Sequence, residues 1–420
     1  MKGIWKNYKQ TILLTLSLII GTIVGLVFKE KTEVLKPFGD LFMNMMFVII
    51  VPLIFLTITT SIAKIKQPKR LGKVIGSTFL IFLITSIIAC IVGLGITYST
   101  KLVKTHDAVK IKEALGEVTA TKEKVNILDR TVQAISVSDF SLILSKNSIL
   151  AIVVISILFG IAINKSKEDG EPLKKVLESA NKVVLKLVDI IFLYAPIGLG
   201  CYFAALIGTF GSEIAVGYLR TFIIYTVVAV LFYFIMYSLY AFISGGKKGF
   251  KLFWKNIIPA TATSISTCSS AASIPANLKT CEGIGVPNDI AETVVPLGTS
   301  FHKDGSVIGS VFKIMFLVYL FGTNVTSIGG ILKVTGVAMV ANLLVTAVPV
   351  GGGTISEMLI LSMMAFPIKA LPILTIIATI IDPAATLLNV TGDSASSMLV
   401  TRVVEGKNWL SKRNKKKDKE

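Results

Sequence analysis

The sequence predicts an all-α polytopic membrane protein, and three observations support this prediction. Of the 420 residues, 53% are hydrophobic and only 16% are charged, whereas an average soluble domain has about 25% charged residues. Apolar runs long enough to span a bilayer recur along the chain. Some polar residues nevertheless fall inside these runs, where charged side chains are costly and mark functional positions.

The first half of the chain contains six apolar runs, each with the length of a transmembrane helix. The second half contains two longer stretches, 257–320 and 328–404, in which polar residues, proline and glycine interrupt the apolar pattern. The first run lacks a small-residue cleavage site, so no cleavable signal peptide is predicted. The six runs lie at 11–28, 38–63, 74–98, 147–164, 183–209 and 219–243.

The net charge of +18 arises from basic clusters between the apolar runs. Such clusters favour a cytoplasmic position, and they form no soluble patch for nucleic acid. We therefore expect a multi-pass protein of the cell (plasma) membrane with both termini in the cytoplasm, and with the mixed-charge loop 101–146 outside. The basic clusters lie at 2–9, 64–73, 247–255 and 407–419.

The sequence predicts neither a cofactor nor a catalytic site. The four cysteines have no paired spacing, and the two histidines are His106 and His302, which disfavours disulfides and a zinc site. The chain contains no Walker sequence and no nucleophile motif. Enzyme activity and ATP-driven transport by this chain are therefore not expected.

The segment 382–393 concentrates polar groups within an apolar stretch. Its two carboxylates, Asp382 and Asp393, are eleven residues apart, which is about 16 Å along a helix. Each buried carboxylate needs a partner at its own depth. A substrate ammonium group and a cation would supply these partners, so the segment predicts a transport site.

Two interruptions have the composition of re-entrant hairpin tips. The first, 261–275, places many hydroxyl residues before a proline; its alternative is a continuous helix whose hydroxyls bond their own carbonyls. The second is the Pro/Gly stretch 347–353. Each is followed by a segment with buried acid, Asp304 or the pair Asp382 and Asp393. Broken helices repeated in this way are typical of inverted-repeat transporters.

Four motifs in this half resemble, in order, those of the dicarboxylate/amino acid:cation symporter family, also called the glutamate-transporter family. Each motif alone is a weak signal, whereas four in the family's order are specific. They are the serine-rich stretch 267–275, the segment 302–306 (His-Lys-Asp-Gly-Ser), the Pro/Gly stretch 347–353, and 382–393, which ends in Asn-Val-Thr-Gly-Asp.

The resemblance implies a fold of eight transmembrane segments and two re-entrant hairpins arranged as inverted repeats. It also implies a homotrimer working by an elevator mechanism, in which the second hairpin is the outer gate. The gate residues would be Pro349, Gly351, Gly352 and Gly353. The expected parts are scaffold spans one and two (1–73), transport-domain span three (74–100), the extracellular loop (101–146), scaffold spans four and five (147–218), the remaining transport domain (219–405) and a basic cytoplasmic tail (406–420).

The resemblance further implies roles for residues around the substrate. Asp382 would pair with the substrate's α-ammonium group, and Asn389 would bind its carboxylate. Ser269 and Ser270 at the first hairpin tip would assist, and Thr386 would touch the substrate.

The resemblance also implies two cation sites built from oxygen ligands, which hard cations prefer. For the hydroxyl pair in span three, helix packing through small polar residues is the alternative. The first site comprises Asp393 with carbonyls near Gly298 and Asn389, and the second comprises Asp304 with Thr85 and Ser86.

The chain departs from the family where acidic-substrate members carry an arginine. It has Ala385 in the last helix and Cys268 in the first hairpin. A substrate side-chain carboxylate would therefore lack a guanidinium, the group best suited to bind it. This departure favours a neutral amino acid as the substrate. The alternative is a symporter of acidic amino acids or C4-dicarboxylates.

A second departure places His302 and Lys303 where the family has asparagine and methionine. We interpret Lys303 as a tethered ammonium that replaces a sodium ion; the alternative is that it reaches the surface by snorkelling. The charges of Asp304, Asp382, Asp393 and Lys303 then sum to minus two, so fewer external cations are needed. The coupling ion, sodium or a proton, stays open, with His302 or Glu357 as candidate proton carriers.

Three other functions are alternatives to transport of an amino acid. A channel-like anion conductance accompanies transport in the family that the chain resembles. A nutrient sensor is disfavoured because the tail after Arg402 is short and basic. A membrane enzyme is disfavoured because no nucleophile–base pair is evident.

Overall fold

The computed structural model of the chain describes residues 2–63, 69–103, 136–143, 148–210, 212–343 and 354–410. These residues form helices and connecting turns without a β-strand, so the all-α prediction is confirmed for this part of the chain. Short 3-10 helices occupy Lys29–Leu35 and Ile368–Ala370. The α-helices are α1 (Lys2–Phe28), α2 (Lys36–Ala63), α3 (Lys69–Thr100), α4 (Phe140–Ile143), α5 (Ile149–Lys165), α6 (Lys167–Phe210), α7 (Ser212–Asn256), α8 (Ile258–Thr267), α9 (Ser270–Ile284), α10 (Asn288–Phe301), α11 (Asp304–Phe321), α12 (Ile328–Leu343), α13 (Thr354–Met364) and α14 (Leu371–Glu405).

The helices have the length and surface of a multi-pass membrane protein. Four stretches among the described residues are long and apolar enough to cross a membrane: Lys73–Thr100, Ala215–Asn256, Asn288–Phe321 and Ile368–Glu405. Large apolar side chains point outward; Leu193, for example, is 75% exposed. Such a surface is unfavourable in water and suits lipid. Each of the six apolar runs in the first half coincides with a helix, while the number of spans stays a prediction.

One group of helices packs around α6. Helices α1, α2 and α5 all contact it. A Cβ atom added at Gly21 of α1 would lie 2.5 Å from the Gly200 carbonyl oxygen of α6, and one at Gly25 would lie 2.7 Å from that of Ala204. These distances mean that the two backbones touch, which small residues permit between membrane helices.

A second group packs around α11 and α14. Helix α14 contacts α3 and most helices from α7 to α13, and it is buried continuously from Ala385 to Thr401. Helix α11 is buried along nearly its whole length. The most polar segments of the sequence therefore lie at the centre of this group. The assignment of the two groups to scaffold and transport domain stays a prediction.

The predicted interruption at the serine-rich stretch is present as a helix–turn–helix. Helix α8 ends at Thr267, and Cys268 adopts a left-handed conformation with φ 47° and ψ 33°. Ser269 then caps α9 by accepting a hydrogen bond from the Ala272 N–H at 3.2 Å, which fixes the start of the new helix. A continuous helix through this stretch is therefore wrong. Re-entry of this hairpin into a membrane stays a prediction.

The second predicted tip lies outside the described residues. Helices α12 and α13 pack against each other on either side of it. The proposed gate residues, Pro349, Gly351, Gly352 and Gly353, belong to the segment 344–353 and are therefore not described. The same holds for most of the loop 101–146 and for the tail from 411 onward.

Candidate functional site

A third helix break places three charged or titratable residues next to one another. His302 has an extended backbone after α10, Lys303 follows it without helical geometry, and Asp304 is the first residue of α11. The two side chains have different partners, because the His302 ring lies between two carboxylates while the Lys303 ammonium donates to the Ser300 carbonyl. Non-helical backbone at membrane depth occurs where it is buried in protein, and all three residues are buried.

Helix α14 runs antiparallel to α11 at very short distance. A Cβ atom at Gly305 would lie 2.3 Å from the Ala385 carbonyl oxygen, and one at Gly309 would lie 2.8 Å from Ile381 Cδ1. The pairs 305–385 and 309–381 set the register of the two helices. This register places the start of α11 beside the segment of α14 that carries Ala385 and Asn389.

His302 occupies the gap between the two predicted cation sites. Its Nδ1 lies 3.1 Å from Asp393 Oδ1, and its Nε2 lies 3.1 Å from Asp304 Oδ1. Thr85 Oγ1 of α3 lies 2.7 Å from the same Nε2. An imidazolium, which carries an N–H on both nitrogens, matches this pair of carboxylates. The structure thus brings Thr85, Asp304 and Asp393 together around the ring, while Ser86 is buried on α3.

Two aromatic residues and one glycine shape the cation centre, which is formed by His302, Asp304 and Asp393. Phe82 stacks on the His302 ring with 4.3 Å between centroids. The Tyr237 hydroxyl lies 3.3 Å from Asp304 Oδ2 and donates to the Leu388 carbonyl at 2.7 Å. Asp393 lies directly on Gly298, where an added Cβ would be 2.1 Å from its Oδ1. Asp304 Oδ2 and Asp393 are thus confined by their neighbours, whereas Asp304 Oδ1 accepts no hydrogen bond from the described residues.

Lys303 remains inside the protein. It is 1% exposed, and its Nζ donates to the Ser300 carbonyl at 3.4 Å. It also interacts electrostatically with Asp393. The snorkelling alternative requires the ammonium group to reach the surface, and this burial speaks against it. The replacement of a sodium ion by Lys303 stays a prediction.

The predicted substrate residues of α14 precede Asp393 by about one to three helical turns. Asp382 is half-buried, and Thr386 Oγ1 donates to its Oδ1 at 3.3 Å. Asn389 is engaged by Ser306 of α11: it accepts from the Ser306 N–H at 3.1 Å and donates to its Oγ at 3.0 Å. Ala385 is buried against Gly305. Roles of these residues in substrate binding stay predictions.

The first hairpin is attached to α14 beside Asn389. Asn277 of α9 donates to the Val390 carbonyl at 2.8 Å, and Ser394 donates to the Asn277 side chain. Cys268, Ser269 and Ser270 are buried at the turn that precedes α9. Their predicted contact with the substrate stays untested.

Sequence reasoning missed Lys313, a buried charged residue of α11 that pairs with Glu357. Lys313 Nζ of α11 lies 3.7 Å from Glu357 Oε1 of α13, and Thr375 of α14 donates to Glu357 Oε2 at 2.7 Å. Phe82, Tyr237 and Ser306 were missed as well. Lys313 could have been found, because it is a charged residue inside the apolar run of α11. The aromatic residues carry no such signal, because Phe and Tyr are common in membrane helices.

The comparison with known families shows which family the chain belongs to and which class of activity that family has. The sequence signature of the sodium:dicarboxylate symporter family matches residues 11–403. The chain belongs to this family. The resemblance drawn from the four motifs is thereby confirmed, and the protein is a cation-coupled symporter of the glutamate/dicarboxylate group rather than a member of an enzyme family.

Several relatives of this symporter match along nearly its whole length. The proton/sodium-glutamate symport protein of Geobacillus stearothermophilus is 25% identical, covering 96% of this chain and 95% of the relative. The C4-dicarboxylate transport protein of Deinococcus radiodurans is 26% identical over 94% and 88%. The proton/glutamate-aspartate symporter of Bacillus subtilis is 26% identical over 94% and 96%. These names are consistent with coupling to sodium or protons.

Proposed function

We propose that this symporter carries a small neutral amino acid, with Asp382 as the partner of the substrate's ammonium group. The observation that supports this most is a half-buried carboxylate on α14 with a hydroxyl beside it and, among the described residues, no arginine near it. Among the described residues, arginine occurs at positions 70, 220 and 402. Arg402 is twenty residues beyond Asp382, about 30 Å along the helix.

Among the described residues, no arginine lies near Asp382, and this absence supports a substrate whose side chain is uncharged. A side-chain carboxylate would enter a largely buried site without a guanidinium, and an unpaired buried charge is strongly unfavourable. A zwitterionic substrate brings one ammonium for Asp382 and one carboxylate, for which Asn389 and the serines of the first hairpin provide uncharged donors.

The coupling ion would bind at the cation centre in competition with groups of the protein itself. The His302 ring fills the gap between Asp304 and Asp393, and Lys303 lies beside Asp393. Fixed positive charge here lowers the number of sodium ions required. The proposal therefore includes weak sodium dependence, with Lys303 as a tethered cation.

The proposed cycle is the elevator movement of a homotrimer. Helices around α6 would form the scaffold, and helices around α11 and α14 would carry the site across the membrane. The second hairpin, between α12 and α13, would open and close the outer side. Packing within each of the two helix groups is more extensive than packing between them, which supports this division.

A second candidate is a symporter of acidic amino acids or C4-dicarboxylates. The relatives are named for these substrates, and the buried amines of Lys303 and Lys313 are groups that could receive a second carboxylate. This candidate predicts that aspartate or succinate outcompetes neutral amino acids.

Uptake into proteoliposomes tests the proposal. Labelled neutral amino acids, aspartate and succinate are compared with sodium and pH gradients imposed separately. Saturable, stereoselective uptake of a neutral amino acid with weak sodium dependence is expected. Preference for aspartate or succinate would replace the proposal by the second candidate, and non-saturable flux would indicate a channel-like conductance.

A further inference from the structure

We propose that Glu357 is a specificity-determining residue of this symporter. It neutralises Lys313, whose ammonium group would otherwise receive the side-chain carboxylate of an acidic substrate. This inference rests on the proposed neutral substrate and explains how an acidic one is excluded. Lys313 and Glu357 lie on α11 and α13, outside the cation centre and outside the substrate residues named above.

The pair is buried and fixed in position. Lys313 is 5% exposed and Glu357 is 1% exposed. The two charges are 3.7 Å apart, and Thr375 holds the second carboxylate oxygen of Glu357 at 2.7 Å. Three helices thus contribute to one cluster: α11 the amine, α13 the acid and α14 the hydroxyl. A buried lysine needs such a partner.

The register of α11 and α14 places this pair close to the substrate level. Gly309 packs against Ile381, which is adjacent to Asp382. Lys313 follows Gly309 by one turn, about 6 Å along the axis. A lysine side chain is long enough to cover that distance, and Lys313 interacts electrostatically with Asp382. The amine is thus positioned to approach a group bound beside Asp382.

The charges explain why the paired amine would not bind an acidic substrate. The charges of Lys313 and Glu357 cancel each other. Asp382 then contributes one net negative charge, which the ammonium group of one substrate molecule can neutralise. An aspartate substrate would add a second carboxylate close to the acid of Glu357. Removal of the Glu357 charge would leave the ammonium of Lys313 without its nearest partner, which is unfavourable for a buried charge, and the side-chain carboxylate of an acidic substrate could take that place.

Two buried hydroxyls lie close to the pair in sequence and could support a bound carboxylate. Ser310 lies one turn before Lys313 on α11, and Ser356 precedes Glu357 on α13. Their hydroxyl oxygens have no hydrogen-bond partner among the described residues. Buried hydroxyls normally have one, so these two groups are available as donors to a polar ligand group.

Competition experiments with Glu357→Gln test the inference. Glutamine keeps the shape and the hydrogen bond to Thr375 but removes the charge. Inhibition of labelled neutral amino acid uptake by aspartate is measured in the wild type, in Glu357→Gln, in the double variant Lys313→Met/Glu357→Gln, and in Glu292→Gln. Glu292 is exposed on α10 and serves as the matched control. We expect aspartate to inhibit Glu357→Gln at a concentration at least tenfold lower than the wild type, with no gain in the other two.

Each outcome separates this inference from the proposed function. Suppose that the wild type and the Glu357→Gln variant both transport neutral amino acids, and that the variant gains no sensitivity to aspartate. This result overturns the inference and leaves the proposed function standing. An equal gain in the double variant also overturns it, because Lys313 is then not the receiving group. A wild type that already prefers aspartate overturns both. If Glu357→Gln does not fold, Glu357→Asp takes its place, because its shorter side chain weakens the pair with Lys313. This variant must show a smaller gain in sensitivity to aspartate, and no gain overturns the inference.

Discussion

At the scale of single residues, substrate recognition should depend most directly on Asp382. Replacement by asparagine keeps the hydrogen bond from Thr386 but removes the charge that would face the substrate's ammonium group. Loss of one partner of a fully buried pair costs about 3–5 kcal/mol. Because Asp382 is half-buried, we expect a loss of about 2–3 kcal/mol in binding, measured by calorimetric titration of the purified protein.

The matched control for Asp382→Asn is Asp169→Asn, an exposed residue of α6. Its substrate affinity should equal that of the wild type. Unchanged affinity in a well-folded Asp382→Asn variant would remove the ammonium-binding role from this residue.

A second residue-scale prediction concerns Lys303. A lysine ammonium and a sodium ion about 4 Å apart repel by about 4 kcal/mol at an effective dielectric of 20. Lys303→Met should therefore gain sodium-dependent substrate binding, and Lys303→Met combined with His302→Asn should gain more, since the ring also fills the gap between Asp304 and Asp393. The measurement is substrate affinity against sodium concentration and pH.

Lys279→Met is the control for this charge removal, because Lys279 is exposed on α9. It should leave the sodium dependence unchanged. Steep sodium dependence in the wild type that neither cation-centre variant alters would contradict the role of Lys303 as a tethered cation.

At the scale of the helices, close packing of α10 on α14 should be required for the cation centre. A methyl group at Gly298 would lie 2.1 Å from Asp393 Oδ1, so Gly298→Ala must displace the carboxylate or separate the helices. Overpacking of this kind costs about 1–3 kcal/mol. We expect a lower melting temperature in detergent and loss of coupled uptake.

Gly336→Ala on α12 controls for the substitution itself. A Cβ atom there meets nothing within 4 Å, and alanine is the better helix former. Its melting temperature should equal or exceed that of the wild type. If Gly298→Ala behaves in the same way, the carboxylate of Asp393 is not confined as described.

At the scale of the whole molecule, the resemblance predicts a homotrimer built through the scaffold helices. The purified protein in mild detergent should therefore have a native mass of three copies of the 45.2-kDa chain. Native mass spectrometry measures this directly. A preparation that is monomeric by this measurement and still active after reconstitution would contradict the predicted assembly.

Much of the fold and part of the site could be predicted from the sequence. The length and apolarity of the runs predict helices, and every described run is helical. The interruption within 261–275 is predicted because serines and threonines before a proline disfavour a continuous helix, and the structure places it at Cys268. Asp304, Asp382 and Asp393 were singled out because acids inside apolar segments are rare. These signals are local in the chain.

What the sequence by itself determined is therefore the class of the protein: a membrane symporter with acidic residues inside apolar segments. Only the tertiary structure decided which side chains meet. It placed the ring of His302, rather than the ammonium of Lys303, between Asp304 and Asp393. It also joined Lys313 to Glu357 across 44 positions of sequence. Such pairings depend on the rotation and register of packed helices, which residue spacing along one chain does not contain.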